Sequence, residues 1–198
     1  MRDLIKPTIS LTVICLVVSV ALGFTHSITG AAIDERARID AENARKEVLA
    51  DADKFEKLEN IDGIINGRPE LAPVKEVYKA LKGDSVSGHV FTVSSKGYGG
   101  EIVITVGIDS NGKITGVKIG QNSETPGLGS KAAEEPFISQ FFNITPKEPF
   151  KVVKGVKSKD EEINAISGAT ITSKAVVGAV QAAVDMAAEI AKEGGNLQ

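Results

Sequence analysis

Between Pro7 and Ile33 the chain carries no Asp, Glu, Lys or Arg, and Ile9 to Phe24 is rich in Leu, Val and Ile. A bilayer core takes about 20 mostly apolar residues at about 1.5 Å of rise each, so this run is long enough to cross one. A cleaved signal peptide is the main competitor, because Arg2 and Lys6 form a basic flank and Ala21-Leu22-Gly23 mimics a cleavage site. The run exceeds the usual signal core of about 7–15 residues, which favours an uncleaved anchor over residues 1–30. A buried helix in a soluble protein is the weaker reading. Orientation is not legible from charge, since Arg2 and Lys6 lie on one side of the run and Arg36 and Arg38 follow closely on the other.

The rest of the 198 residues leaves room for one modest domain. The net charge of -3 comes from interspersed charges of both signs, with no basic patch, so nucleic acid is not an expected partner. Tryptophan is absent, which argues against a base-stacking platform. Cys15, the only cysteine, lies inside the apolar run, so neither an intrachain disulfide nor a cysteine-held metal or iron–sulfur site is expected. His26 and His89 are far apart and have no ligand spacing; solvated or structurally satisfied histidines are expected, and no metal.

Ala31 to about Asn60 is charged and alanine-rich without Gly or Pro, and reads as a helix leaving the membrane, a stalk over residues 31–62. After Gly63, Gly67 and Pro69, the spacing of Val74, Val77, Tyr78 and Leu81 predicts a short helix that exits at Lys82-Gly83. The pattern then switches. Val86 to Val93, Glu101 to Ile108 and Lys113 to Ile119 are β-branched runs joined by Gly- and Asn-containing turns, an antiparallel meander. Ser130 to Phe142 reads as a helix with Ala133, Phe137 and Phe141 inward, limited or kinked by Pro136. Phe150 to Val156 is a further strand candidate. Ser173 to Lys192 is the clearest helix, with Val177, Val180, Val184, Ala187 and Ala191 in a stripe and Gly194-Gly195 as its stop. The sum is an α+β domain over residues 63–198, helices covering an antiparallel sheet.

Two stretches carry candidate chemistry. Ser167-Gly168-Ala169-Thr170-Ile171-Thr172-Ser173 sets several hydroxyls on a glycine-loosened turn at a helix entrance, where free N–H groups and the positive helix end suit a phosphate. Read blandly, Thr172 or Ser173 is a helix cap and Gly168 a turn residue. Ser123-Glu124-Thr125-Pro126-Gly127-Leu128-Gly129 holds one apolar residue between two glycines, a loop on which a flat ligand can rest. No Gly-Lys-Ser/Thr follows, so it is not a Walker loop, and the Gly97–Gly100 cluster links two strands where a dinucleotide fingerprint opens a helix.

These two motifs, in this order behind one apolar run, resemble the FMN-binding domain family, and within it the G subunits of Rnf-type complexes, membrane ferredoxin:NAD oxidoreductases that pump sodium ions or protons. The resemblance covers essentially the whole chain. It implies FMN joined through its phosphate to Thr170 by a flavin transferase, with Ser167, Gly168, Ala169 and Thr172 around the phosphate. It implies Glu124, Thr125, Gly127, Leu128 and Gly129 against the flavin. It also implies an electron-relay role beside other membrane subunits, not catalytic alone, in the cytoplasmic membrane with the C-terminal domain outside. Where the family usually carries an acidic residue three positions before the motif serine, this chain has Asn164. Lys174 adds a screened attraction to the phosphate or is a surface lysine. Two alternatives stand beside this reading: the C subunit of the sodium-translocating NADH:quinone oxidoreductase, which is typically longer, and a flavin-free anchored interaction module.

Overall fold

The computed structural model describes residues 2–59, 61–155 and 157–192, with side chains from Ile5 onward. The chain divides into two units, Met1–Ala41 and Glu42–Gln198. Helix α1 (Arg2–Val48) makes up the first and contributes its last residues to the second. Its apolar side chains, such as Leu11, Val20 and Phe24, are exposed, and it is long and apolar enough to cross a membrane. The hydroxyls of Thr12, Thr25 and Thr29 donate back to the carbonyls of Thr8, Ala21 and Thr25 at 2.9–3.0 Å, which satisfies them inside an apolar helix. Beyond Ile33 the helix is held by exposed pairs such as Arg38–Glu35 and Lys46–Glu42, each worth a few tenths of a kcal/mol.

The second unit is built on a five-stranded antiparallel sheet in sequence order: β1 (Lys54–Lys57), β2 (Val74–Lys82), β3 (Ser85–Lys96), β4 (Glu101–Asp109) and β5 (Ile114–Ile119). The expected three-strand meander is β3–β4–β5, extended by two strands where helical structure is expected from the sequence. The helix expected to reach Asn60 ends at Val48, and Lys54–Lys57 pairs with Tyr78–Leu81; Asn60 itself lies outside the described residues. The stop has a tertiary cause. Val48 and Leu49 bury themselves against Ala80 and Val90, and Thr115 Oγ1 donates to the Val48 carbonyl at 2.5 Å. A Cβ on Gly107 or Gly116 would run into the Val48 backbone, so these glycines admit the helix end.

The predicted helix over 74–82 is strand β2. Register shifts lie between Val74 and Glu76 and between Ala80 and Leu81. The first resets the two-residue alternation, so that Val74 and Val77 both reach the main core although they are three positions apart. Ala80 and Tyr78 face the second, smaller cluster, where Arg45 stacks over the Tyr78 ring at 4.2 Å. A strand buried on both faces through a bulge mimics a helical spacing.

Short helix α2 (Asp62–Ile65) leads into β2, and the segment after β5 folds as three short pieces in place of one helix. These are a 3-10 turn (Gly129–Ala133), α3 (Glu135–Ile138) and a second 3-10 turn (Ser139–Phe141). Pro136 sits in the first turn of α3, where its missing N–H is harmless, and bars any longer helix through it. Ala132 is buried here, whereas Ala133 is exposed. Phe137, Phe141 and Phe150 do pack inward, as edge-to-face pairs at 5.9 and 5.6 Å.

Strand β6 (Lys151–Val153) realises part of the 150–156 candidate, with Val156 outside the described residues, and pairs in parallel with the unanticipated β7 (Glu162–Asn164). Helix α4 (Thr170–Lys192) begins three residues before the expected Ser173; the proposed stop at Gly194-Gly195 lies outside the described residues. Val176, Val180, Ala183, Met186 and Ile190 meet Phe91, Ile102, Ile104 and Val106 of the sheet. Full burial of such side chains is worth about 1.5–3 kcal/mol each. Of the predicted stripe, Val177 and Val180 are buried, Val184 and Ala187 half-buried and Ala191 exposed. Small residues (Ala175, Ala179, Ala182, Ala183) let α4 lie flat on the sheet, which widens its buried face.

Candidate functional site

Three connections and one strand end meet at the N-terminus of α4. They are the β3–β4 hairpin tip, the 121–129 loop after β5, the 165–169 link from β7 and the residue following β6. Between them lies a cleft of about 580 Å³, within the range of cofactor pockets. Tyr98, Leu128, Lys154, Gly168, Thr170 and Ile171 are among its lining residues.

Thr170 is the first residue of α4 and is half-buried. The first hydrogen bond into the helix runs from Ser173 N–H to the Ala169 carbonyl at 3.0 Å. Among the described residues, the N–H groups of Thr170, Ile171 and Thr172 have no acceptor, and Ala169 offers no capping side chain. Gly168, with φ +79°, supplies the left-handed turn that delivers the chain into the helix.

The cap reading of Thr172 and Ser173 does not hold, because both sit inside α4 and are fully buried. Ser173 Oγ accepts the Ile166 N–H and donates to the Ala169 carbonyl, both at 2.9 Å. Thr172 Oγ1 donates to Glu124 Oε2 at 2.6 Å, so this hydroxyl is already engaged. Oε1 of the same carboxylate accepts the Gly99 N–H at 2.9 Å. Glu124 is 7% exposed. Burial presses its carboxyl upward, but the hydrogen bonds from Thr172, Gly99 and Tyr98 outweigh that and hold it below the usual carboxylate range.

The structure brings Glu124, Thr125, Leu128, Gly129, Gly168, Ala169, Thr170 and Thr172 together around the cleft. Ser167 and Gly127 are exposed and are not among its lining residues. Gly127, with φ +75°, shapes the loop, its N–H donating to Ser130 Oγ at 2.9 Å. Tyr98 and Lys154 join the cleft without being expected there. Tyr98 has a faint sequence signal, an aromatic held between glycines in a hairpin tip, and it is 71% exposed. Lys154 has none, since the parallel pairing of β6 with β7 sets its place. A larger cleft of about 660 Å³ lies between the C-terminal half of α4 and the sheet, lined partly by His89 and Asp109. None of the residues above belongs to it, so size does not locate the chemistry here.

The FMN-binding domain family matches residues 97–185. The G subunit of the Na(+)-translocating ferredoxin:NAD(+) oxidoreductase complex of Acetobacterium woodii is 37% identical, over 92% of this chain and 90% of that protein. The G subunit of the proton-translocating ferredoxin:NAD(+) oxidoreductase complex of Clostridium ljungdahlii is 35% identical, over 90% and 88%. Among solved structures, Shewanella oneidensis NqrC aligns with a TM-score of 0.49 at 23% identity, over 67% of this chain and 65% of that one.

Proposed function

The chain belongs to the FMN-binding domain family, among the G subunits of ion-translocating ferredoxin:NAD oxidoreductase complexes, and from that premise we propose that it carries FMN as a phosphodiester on Thr170. It is a flavoprotein subunit of an Rnf-type complex, relaying electrons between neighbouring subunits and not catalytic alone. The C-subunit alternative yields to this reading because the G-subunit relatives match over about nine tenths of both chains.

The observation that carries the attachment is the entrance of α4. Thr170 stands at the cleft as the first helical residue, with three N–H groups free among the described residues and no side-chain cap to compete for them. A phosphodiester retains one negative charge, which those N–H groups and the helix dipole stabilise by about 0.3–1 kcal/mol or more. The residues present therefore fit the group. Leu128 and Tyr98 offer apolar surface for a ring system and Lys154 a cation in the same cleft. FMN, once held, supplies the electron-transfer chemistry; the protein fixes its place and tunes its potential by burial and hydrogen bonds.

A phosphate monoester does not esterify threonine unaided, so attachment calls for an activated flavin phosphate and a flavin transferase. Thr170 would supply Oγ1 as the acceptor: a P–O bond to Oγ1 would form, the P–O bond to the donor's leaving group would break, and the hydroxyl proton would be released. No electrons are exchanged in that step. Residues 1–30 act as the membrane anchor and 31–41 as the connecting segment, while the flavin domain takes in the end of α1 and strand β1 as well as residues 63–198, on the outer face of the cytoplasmic membrane beside other subunits of the complex. Protease treatment of intact spheroplasts tests that orientation, and a fully protected domain would overturn it.

The decisive experiment is denaturing electrophoresis of the full chain from cells holding the matching transferase, read by flavin fluorescence and intact mass. Wild type is expected to fluoresce and carry the adduct, and Thr170→Ala to lose both while staying folded. A dark wild-type band, or an adduct that survives Thr170→Ala, overturns the assignment.

A further inference from the structure

We infer that Glu124 is a positioning residue for flavin attachment, acting through Thr172 to set how the first turn of α4 presents the Thr170 hydroxyl to the cleft; this rests on the attachment site proposed above. One carboxylate ties three segments distant in sequence. Its own loop carries it, the hairpin tip donates Gly99 N–H to Oε1, and α4 donates Thr172 Oγ1–H to Oε2.

The space around the carboxylate is made by missing side chains. A Cβ on Gly97 would collide with Oε1 and a Cβ on Gly129 with Oε2, while one on Gly99 would strike the Ser123 carbonyl. Glycine at these positions lets the hairpin tip and the 121–129 loop close on one acidic group. A buried carboxylate is costly unless hydrogen-bonded, so this arrangement is stable only with its donors in place. It tolerates little sliding.

The consequence for Thr170 is geometric. Residues two apart on an α-helix point about 200° apart around the axis. Fixing Thr172, which is 1% exposed, on Glu124 therefore sets the rotation of the first turn, and leaves the half-buried Thr170 at the cleft with its hydroxyl unspent among the described residues. Ser173 holds the lead-in through Ile166 N–H and the Ala169 carbonyl, so the link and the helix are pinned independently. The resemblance implies Glu124 as a neighbour of the flavin; the hydrogen bonds give it a task it performs before any flavin is present.

The test uses the full chain with its transferase, following flavin attachment over time by intact mass and folding by thermal melting. Thr172→Val removes the donor at nearly constant shape and is expected to slow attachment by about tenfold, the scale of one lost buried hydrogen bond. Thr172→Ser restores the donor and is expected to return the rate to within about threefold of wild type. Glu124→Gln keeps the shape and can still exchange hydrogen bonds with Gly99 N–H and the rotatable Thr172 hydroxyl, so it too stays within about threefold. A folded Thr172→Val chain flavinylated at the wild-type rate overturns the inference. So does a folded Glu124→Gln chain that takes no flavin, since the charge itself would then be needed. If Thr172→Val does not fold, Thr172→Ser and Glu124→Gln decide: both within range supports positioning, and loss in either overturns it. A wild-type chain that takes no flavin overturns the attachment site itself, which separates the two failures.

Discussion

A Cβ placed on Gly168 would lie 3.1 Å from Cδ2 of Leu128. The turn that feeds α4 and the loop that carries the exposed leucine thus meet with little space between them, and both line the cleft beside Thr170. The two motifs, well separated along the chain, are one surface in three dimensions.

Gly168→Ala sets a side chain at φ +79° and presses a methyl toward Leu128. The expected cost is about 1–2 kcal/mol of stability from the left-handed backbone, with slower flavin attachment. Urea unfolding and time-resolved intact mass measure both, and unchanged stability would show that the turn relaxes freely.

Leu128→Ala removes a side chain that is 45% exposed, so the expected stability loss is below about 1 kcal/mol. The covalent adduct should persist while the potential of the attached flavin moves. A redox titration identical to wild type would count against contact between Leu128 and the ring.

The Glu124 carboxyl is held below its ordinary value of 4.5 in the folded chain. A group depressed on folding contributes stability that is fully present above its unfolded value and is lost as pH falls through the folded one. Melting temperature should therefore decline as pH drops from about 4.5, and Glu124→Gln should flatten that part of the curve. Parallel curves for the two proteins would show that other carboxylates govern acid sensitivity.

Gly107→Ala would drive a Cβ into the Val48 carbonyl, where the end of α1 meets β4. Overpacking of this kind costs about 1–3 kcal/mol, so the domain should melt earlier while Thr170 is still flavinylated. Loss of attachment in a folded Gly107→Ala chain would mean that this end of the sheet communicates with the cleft.

Much of the domain is readable where the signal is local. The β-branched runs and their Gly- and Asn-containing turns mark β3, β4 and β5, because a strand's alternation and a turn's backbone demands are written in neighbouring residues. Strand β2 reads as a helix because a bulge and burial on two faces give it a three-residue spacing that only pairing with β3 explains. The end of α1 is expected too late for a similar reason: its stop is a contact with the sheet and not a breaker residue.

At the site, Thr170, Gly168 and Leu128 stand out in their motifs, and the packing then separates their roles from those of their neighbours. Thr172 reads as one more hydroxyl near a phosphate, yet it is spent on a carboxylate 48 residues away. Tyr98 and Lys154 arrive from a hairpin and from a parallel strand pair that no periodicity announces.

The apolar run, the meander and the hydroxyl-rich motif at the entrance of α4 are legible from residue type and spacing, since each depends on neighbours within one turn or one strand. Tertiary contacts set which groups share the cleft, and which of the α4 hydroxyls there is spent on a carboxylate. Those outcomes depend on contacts between distant segments, where burial and hydrogen-bond satisfaction outweigh local preference.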